Sequence, residues 1–202
     1  MNSFIHDSRN RQRAGIAPWC PILLLSLLIS ALPSEFMYAA DQGSTILYNS
    51  PGGFSVRCPV VLHEDANQLL HTEAGEIVLH SFVGTLNNTT YRVAYNDVPP
   101  YVIDNTTASA TQLLNGARDE ALKKVSGSLV YESDLVLGPY HGREFVVLAS
   151  KHIVVVDRMF LVEGRMYQVA VAMPAADFEG DAIDAAHRFV ESFRLTAVKK
   201  QR

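Results

Sequence analysis

The chain has 202 residues, 48% apolar and 19% charged side chains, and a formal charge of −4, enough hydrophobic content for one packed domain with appendages and too much for wholesale disorder. Three of the 17 basic groups (Arg9, Arg11, Arg13) and two of the 21 acids (Asp7, Glu35) fall in the first 40 residues, so the rest carries 14 against 19, a charge of −5. A mildly acidic body with no basic patch interleaved with aromatics argues against a nucleic-acid partner.

Residues 1–40 read as an export signal: a basic start, an uncharged stretch over 14–32 that is densest at 22–32, then Pro33 and Ser34. The dense part is too short to cross a bilayer, but the 19 uncharged residues from Ala14 approach the roughly 20 that a spanning helix needs. A cleaved signal peptide and an uncleaved N-terminal membrane anchor both stay open, with cleavage best placed after Ala40. Cys20 follows Pro18 and Trp19 rather than the small residues of a lipoprotein signal. After cleavage Cys58 stands alone, which rules out an intrachain disulfide and suits a small buried hydrophobe.

Residues 41–53 are polar, end in Pro51-Gly52-Gly53, and read as a linker closing in a turn. The domain is expected over 54–195, followed by a basic tail at 196–202. Its first strand, 54–58, stops at Pro59. Strands at 69–72 and 76–83 form a hairpin, and Asn87-Asn88 is a two-residue turn that returns the chain through 89–95. A helix is expected over 110–125, capped by Ser109, with Leu113, Leu114, Ala117, Ala121, Leu122 and Val125 on one stripe and Gly127 closing it. A strand at 129–137 and a turn at 138–142 follow.

The organising stretch is 142–173, GREFVVLASKHIVVVDRMFLVEGRMYQVAVAM. Three strands can be read in it, two of them joined by a tight turn at Glu163-Gly164. Val154, Val156, Phe160 and Val162 point one way while Ile153, Val155, Met159 and Leu161 point the other. A strand apolar on both faces is covered on both faces. The acids Asp177, Glu179, Asp181 and Asp184 lead into a last helix ending near Phe193, where they offset the positive end of its dipole. Ile183, Ala186, Phe189, Val190 and Phe193 form its buried stripe. The expected fold is α+β, a central antiparallel sheet with helices packed on both faces.

No stretch carries a chemistry of its own. His63, Glu64 and Asp65, with His71 and His80 nearby, lack metal-ligand spacing. There is no Gly-x-Ser-x-Gly elbow, and Pro51-Gly52-Gly53 precedes a strand where a phosphate loop would precede a helix. His141, Arg143 and Glu144 follow a turn where a cleft could form, but strand alternation sends Arg143 and Glu144 to opposite faces. His152 and His187 are single histidines. Asn87, Asn88 and Asn105 sit in Asn-x-Thr patterns, which matter only in a eukaryotic secretory route. No catalytic, cofactor-binding or metal residue is assigned, and no cofactor is expected.

Four short stretches resemble the Mog1/PsbP-like superfamily, and especially its exported bacterial proteins: Gly52-Gly53-Phe54-Ser55-Val56 opening the sheet, Gly142-Arg143-Glu144-Phe145, Gly164-Arg165-Met166-Tyr167-Gln168 in the hairpin, and FVESFRL at 189–195. The resemblance implies an antiparallel sheet between helices. It also implies binding rather than catalysis, since the photosynthetic branch looks like extrinsic subunits docked on a membrane complex and the Mog1 branch binds a small GTPase. No functional residue transfers from either branch; Cys58 stands where relatives tend to carry an aromatic. The expectation is an exported, non-enzymatic accessory protein that docks on a protein partner at the cell envelope or outer membrane surface, in the periplasm or outside the cell. Membrane contact would come only through an uncleaved N-terminal segment. A small-ligand or metal-ion module, using the His141 cleft or the His63 loop, is the second reading, and an enzyme of unassigned class the third.

Overall fold

The structure is a computed structural model that describes residues 44–72, 75–103, 106–149 and 152–196. The export segment, Asn105 and residues 197–202 of the tail lie outside the described residues. In chain order the strands and helices are β1 (Thr45–Asn49), β2 (Phe54–Cys58), β3 (His63–Glu64), β4 (Gln68–Thr72), β5 (Gly75–Leu86), β6 (Thr89–Asp97), α1 (Thr107–Lys124), β7 (Ser128–Leu137), β8 (Tyr140–Ala149), β9 (Ile153–Val162), β10 (Arg165–Pro174), α2 (Asp181–Glu191) and β11 (Arg194–Leu195). The result is a mostly antiparallel sheet with two α-helices, an α+β fold.

The main sheet has eight strands in the order β3-β5-β6-β10-β9-β8-β7, with β4 pairing β5 beside that path. The turns that join its hairpins follow from local chemistry. Asn87 and Asn88 take φ of 48° and 63°, and Glu163 and Gly164 take 48° and 86°. Two successive positive φ values mark the tight turn whose twist matches flanking strands. The β9–β10 hairpin is in register from Ile153↔Pro174 to Val162↔Arg165, and β10 continues onto β6. The organising stretch therefore occupies the middle of the sheet, where both neighbours and both faces are filled.

Two expectations are corrected. The stretch read as a linker contains β1, which pairs with β2 from Thr45↔Cys58 to Asn49↔Phe54. Its inner residue Leu47 packs on a core, and Thr45 Oγ1 donates to Val60 O at 3.0 Å; Ile46, Leu47 and Tyr48 are apolar in succession, without the alternation that marks a half-buried strand, and the residues around them are polar. Nor does 54–58 open the main sheet. It is the middle strand of a separate three-stranded sheet, β1-β2-β11, in which Arg194 and Leu195 pair with Ser55 and Phe54. A strand of five residues gives no sign of which neighbour it will take; that depends on where residue 194 returns.

Helix α1 begins at Thr107, with the side chain of Thr106 accepting from Ser109 N–H at 3.1 Å. At its end the left-handed position is held by Ser126 (φ 48°), not by the expected glycine. Gly127 N–H donates to Leu122 O at 3.0 Å and Ser126 N–H to Lys123 O at 3.2 Å, the paired bonds of a Schellman stop. Gly127 is needed for space, because a Cβ there would lie 2.5 Å from Val147 Cγ1 on β8.

The alternation of β9 feeds two cores. Val154, Val156, Phe160 and Val162 join Ala186, Phe189 and Val190 of α2 together with Phe54 and Val56 of the small sheet. Val155, Met159 and Leu161 join Ala110, Leu114, Ala117 and Ala121 of α1. Phe54 stands at the centre of the first core, with Phe82, Tyr95, Tyr167 and Phe193 at centroid distances of 5.6–6.2 Å. Arg165 ties the small sheet to the large one. It donates to both carboxylate oxygens of Asp97 at 2.6 and 3.0 Å and to Pro51 O at 2.9 Å, while Tyr167 OH donates to Gly52 O at 2.6 Å.

Candidate functional site

A cleft of about 300 Å³ opens where α1 begins, beside the start of β8 and the β9–β10 turn. That volume is at the lower end of small-ligand sites, which run to about 1,000 Å³. Ile103, Ala110 and Leu161 supply its apolar lining, and Thr107, His141, Tyr140 and Glu163 its polar groups. Thr107 Oγ1 and His141 Nε2 are 3.4 Å apart. Tyr140 OH donates to Glu163 Oε1 at 2.9 Å, and that carboxylate holds the phenol above its ordinary pKa. These groups can orient a small polar molecule. The cleft presents a hydroxyl and an imidazole on one wall and a carboxylate already engaged by a tyrosine on another.

Beside the cleft, a charge network fastens α1 to the outer strands. Arg118 donates to both oxygens of Glu132 at 2.6 and 2.8 Å, and Arg143 donates to Glu132 at 2.9 Å and Asp134 at 2.8 Å as well as to Asn115. Glu144 takes the opposite face and pairs with Arg158. Alternation along β8 separates these adjacent residues, so they share no reaction centre.

The other sequence candidates are dispersed. His63 and Glu64 are exposed on β3, His71 Nδ1 lies 3.3 Å from Glu76 Oε1, and His80 stacks on Tyr95 at 4.6 Å. Among the described residues no three His, Cys, Asp or Glu side chains converge on a point that could hold a metal ion. Cys58 is 1% exposed, and burial pushes its thiol up to about 12, far from the thiolate needed for nucleophilic work.

Sequence reasoning missed a buried polar cluster on the α1 side of the sheet. Asp157 is fully buried on β9, where Gln168 Nε2 of β10 donates to its Oδ2. Arg92 Nε of β6 donates to Ser81 Oγ of β5 at 3.1 Å, both side chains being buried. Burial raises the Asp157 carboxyl to about 7, against the lowering influence of the Gln168 bond and the Arg92 charge. Among the described residues Asp157 Oδ1, Gln168 Oε1 and Asn96 Nδ2 meet no hydrogen-bond partner. The signal was present as Asp157 and Gln168 interrupting apolar runs. Only the β9–β10 register brings the two side chains together.

With this geometry in hand, solved structures supply a match. A cyanobacterial PsbP from Synechocystis superposes with a TM-score of 0.50 at 10% identity, over 80% of this chain and 97% of its own. The chain has a PsbP-like fold. A Pseudomonas aeruginosa protein of unknown function gives a TM-score of 0.40 at 8% identity, over 61% of this chain and 95% of its own. No protein-family model and no curated protein matches the chain. At 10% identity the PsbP-like likeness concerns the fold.

Proposed function

We propose that this chain is an exported, non-enzymatic binding domain that docks on a protein partner at the cell envelope or outer membrane surface. The observation that carries this reading is the PsbP-like fold over four-fifths of the chain, joined to an N-terminus with the basic and apolar regions of an export signal. The two separate cores, one with α1 and one with α2, support a sheet covered by one helix on each face. Such a body offers rigid outer surfaces for docking. Affinity capture from the envelope fraction of the source organism tests the reading, with the full chain as bait and Phe160→Ala as a destabilised control. One reproducible partner, lost on changing a surface patch, supports it. A blank under gentle crosslinking, or turnover in a hydrolase screen that one polar substitution abolishes, sinks it.

The cleft beside His141 supports a second reading, a small-ligand module. Its mark would be amide NMR shifts confined to Thr107, Ala110, His141 and Leu161 during a small-molecule screen. Shifts scattered over the sheet would rule it out.

A further inference from the structure

Strand β7 is the last strand of the main sheet and pairs with β8 alone, so its outer backbone edge is open among the described residues. An open edge of ten residues is a template for another strand. The apolar side chains along it are uncovered: Leu129 is 41% exposed, Val130 62%, Tyr131 50% and Val136 72%. Along this edge the residues form a chemical palindrome centred on Ser133, with Leu129-Val130-Tyr131-Glu132 on one side and Asp134-Leu135-Val136-Leu137 on the other. From this we infer that β7 pairs antiparallel with β7 of a second copy about a two-fold axis at Ser133, joining two main sheets edge to edge in a homodimer.

A two-fold interface must be its own complement, residue i meeting j while j meets i. The axis at Ser133 sets Tyr131 opposite Leu135 of the second copy and Glu132 opposite Asp134, with Leu129 and Val130 flanking Val136 and Leu137 at the ends. Moving the axis to Glu132 would put Tyr131 against Ser133, so apolar matching within the regular part selects the register. Facing acids would repel if bare. Here each copy brings Arg143 between Glu132 and Asp134, at 2.9 and 2.8 Å, and Arg118 on Glu132 at 2.6 Å. Arg118 also holds Asp119 at 2.7 Å, but every acid of the central stripe has a guanidinium partner within its own copy, so the facing carboxylates are not bare. The β7–β8 register shifts between Leu129 and Tyr131, which bulges Val130. Backbone pairing therefore runs regularly through 131–135, and Leu129 and Val130 contribute side-chain contact only. One edge strand buries less than the roughly 800 Å² per partner of a standard interface, so dissociation on the order of micromolar is expected.

Disulfide trapping in the full chain tests both the dimer and its register, in a Cys20→Ser background, Cys58 being buried. Directly opposed residues have Cβ atoms about 4.5–5.5 Å apart, close to disulfide reach. Ser133→Cys should give a crosslinked dimer on mild oxidation, whereas Ser128→Cys, displaced five residues from the axis, should not. Sedimentation equilibrium of the parent chain should show a monomer–dimer equilibrium, weakened at least ten-fold by Val136→Lys, whose side chain lies outside both cores. A chain monomeric at several hundred micromolar overturns the proposal, as it would if the edge serves a strand of another protein. So does a dimer that leaves Ser133→Cys uncrosslinked, which would use another surface.

Discussion

Replacing Asp157 by Asn should flatten the pH dependence of stability and make the protein more stable at alkaline pH. Burial is the largest influence on this carboxyl and raises it from 3.8 to about 7, even with the Gln168 bond and Arg92 favouring the charged form. The charges around it are Arg92 from β6 and, beyond that, Asp65 and Lys124, each of which interacts with Arg92. From the neighbouring strands it faces Phe145 and Ala170. Between pH 3.8 and 7 the folded state holds a proton that the unfolded state has released. Stability from this group is therefore greatest at low pH, falls as pH rises through that window, and is gone above about pH 7. The full span is on the order of 4 kcal/mol at 1.36 kcal/mol per pH unit. From pH 5 to pH 8 the parent should lose about 3 kcal/mol that D157N does not lose, roughly 6–12 °C of Tm at this size. The amide also suits the site, since its N–H can donate to Gln168 Oε1, an oxygen that meets no donor among the described residues. Urea denaturation of both proteins at pH 5, 6, 7 and 8 measures the difference. Parallel profiles would refute the argument, because they would mean that Asp157 is ionised in the fold across the whole range.

Three further outcomes follow from packing and backbone geometry. Phe160→Ala removes a ring that is 4% exposed and stacked on Phe193 at 5.9 Å, and should cost roughly 3–5 kcal/mol; an unchanged melting temperature would show the central hairpin to be peripheral. Gly142→Ala adds a Cβ that overlaps the Phe160 ring and should cost about 1–3 kcal/mol by overpacking. In the double variant G142A/F160A that penalty should shrink to what the backbone oxygen of Met159, 2.7 Å from the added Cβ, imposes, and a thermal double-mutant cycle with no coupling would count against the ring contact. Gly164→Val forces a β-branched residue to φ 86°, a strain of order 1–3 kcal/mol. Gly164→Asn should recover most of it in the same melt, and equal losses in both would argue against a backbone cause.

Legibility depended on how local the cause was. The β9–β10 hairpin, its turn and its two apolar faces could be read because a period of two and a positive-φ dipeptide are properties of neighbouring residues. The buried stripe of α2 was readable for the same reason, at the helical period. β1 was missed because five residues inside a polar stretch acquire a face only once Leu47 has a core to enter. The stop of α1 was placed within a residue, yet its left-handed position fell on Ser126, because Gly127 was required by the nearness of Val147.

By itself the sequence determined the α+β class, the meander of hairpins, the two amphipathic helices and the pairing partners within each hairpin, all of which rest on contacts between residues close along the chain. Tertiary structure alone decided the rest. It detached β1-β2-β11 as a second sheet, gathered Ile103, Thr107, His141 and Glu163 around one cleft, left β7 at an edge that is open among the described residues, and set Asp157 beside Gln168 in the buried interior. Each of these depends on segments far apart in sequence arriving at one place, and on the burial that follows. Hydrophobic patterning specifies which face a residue takes, but not which distant residue will meet it there.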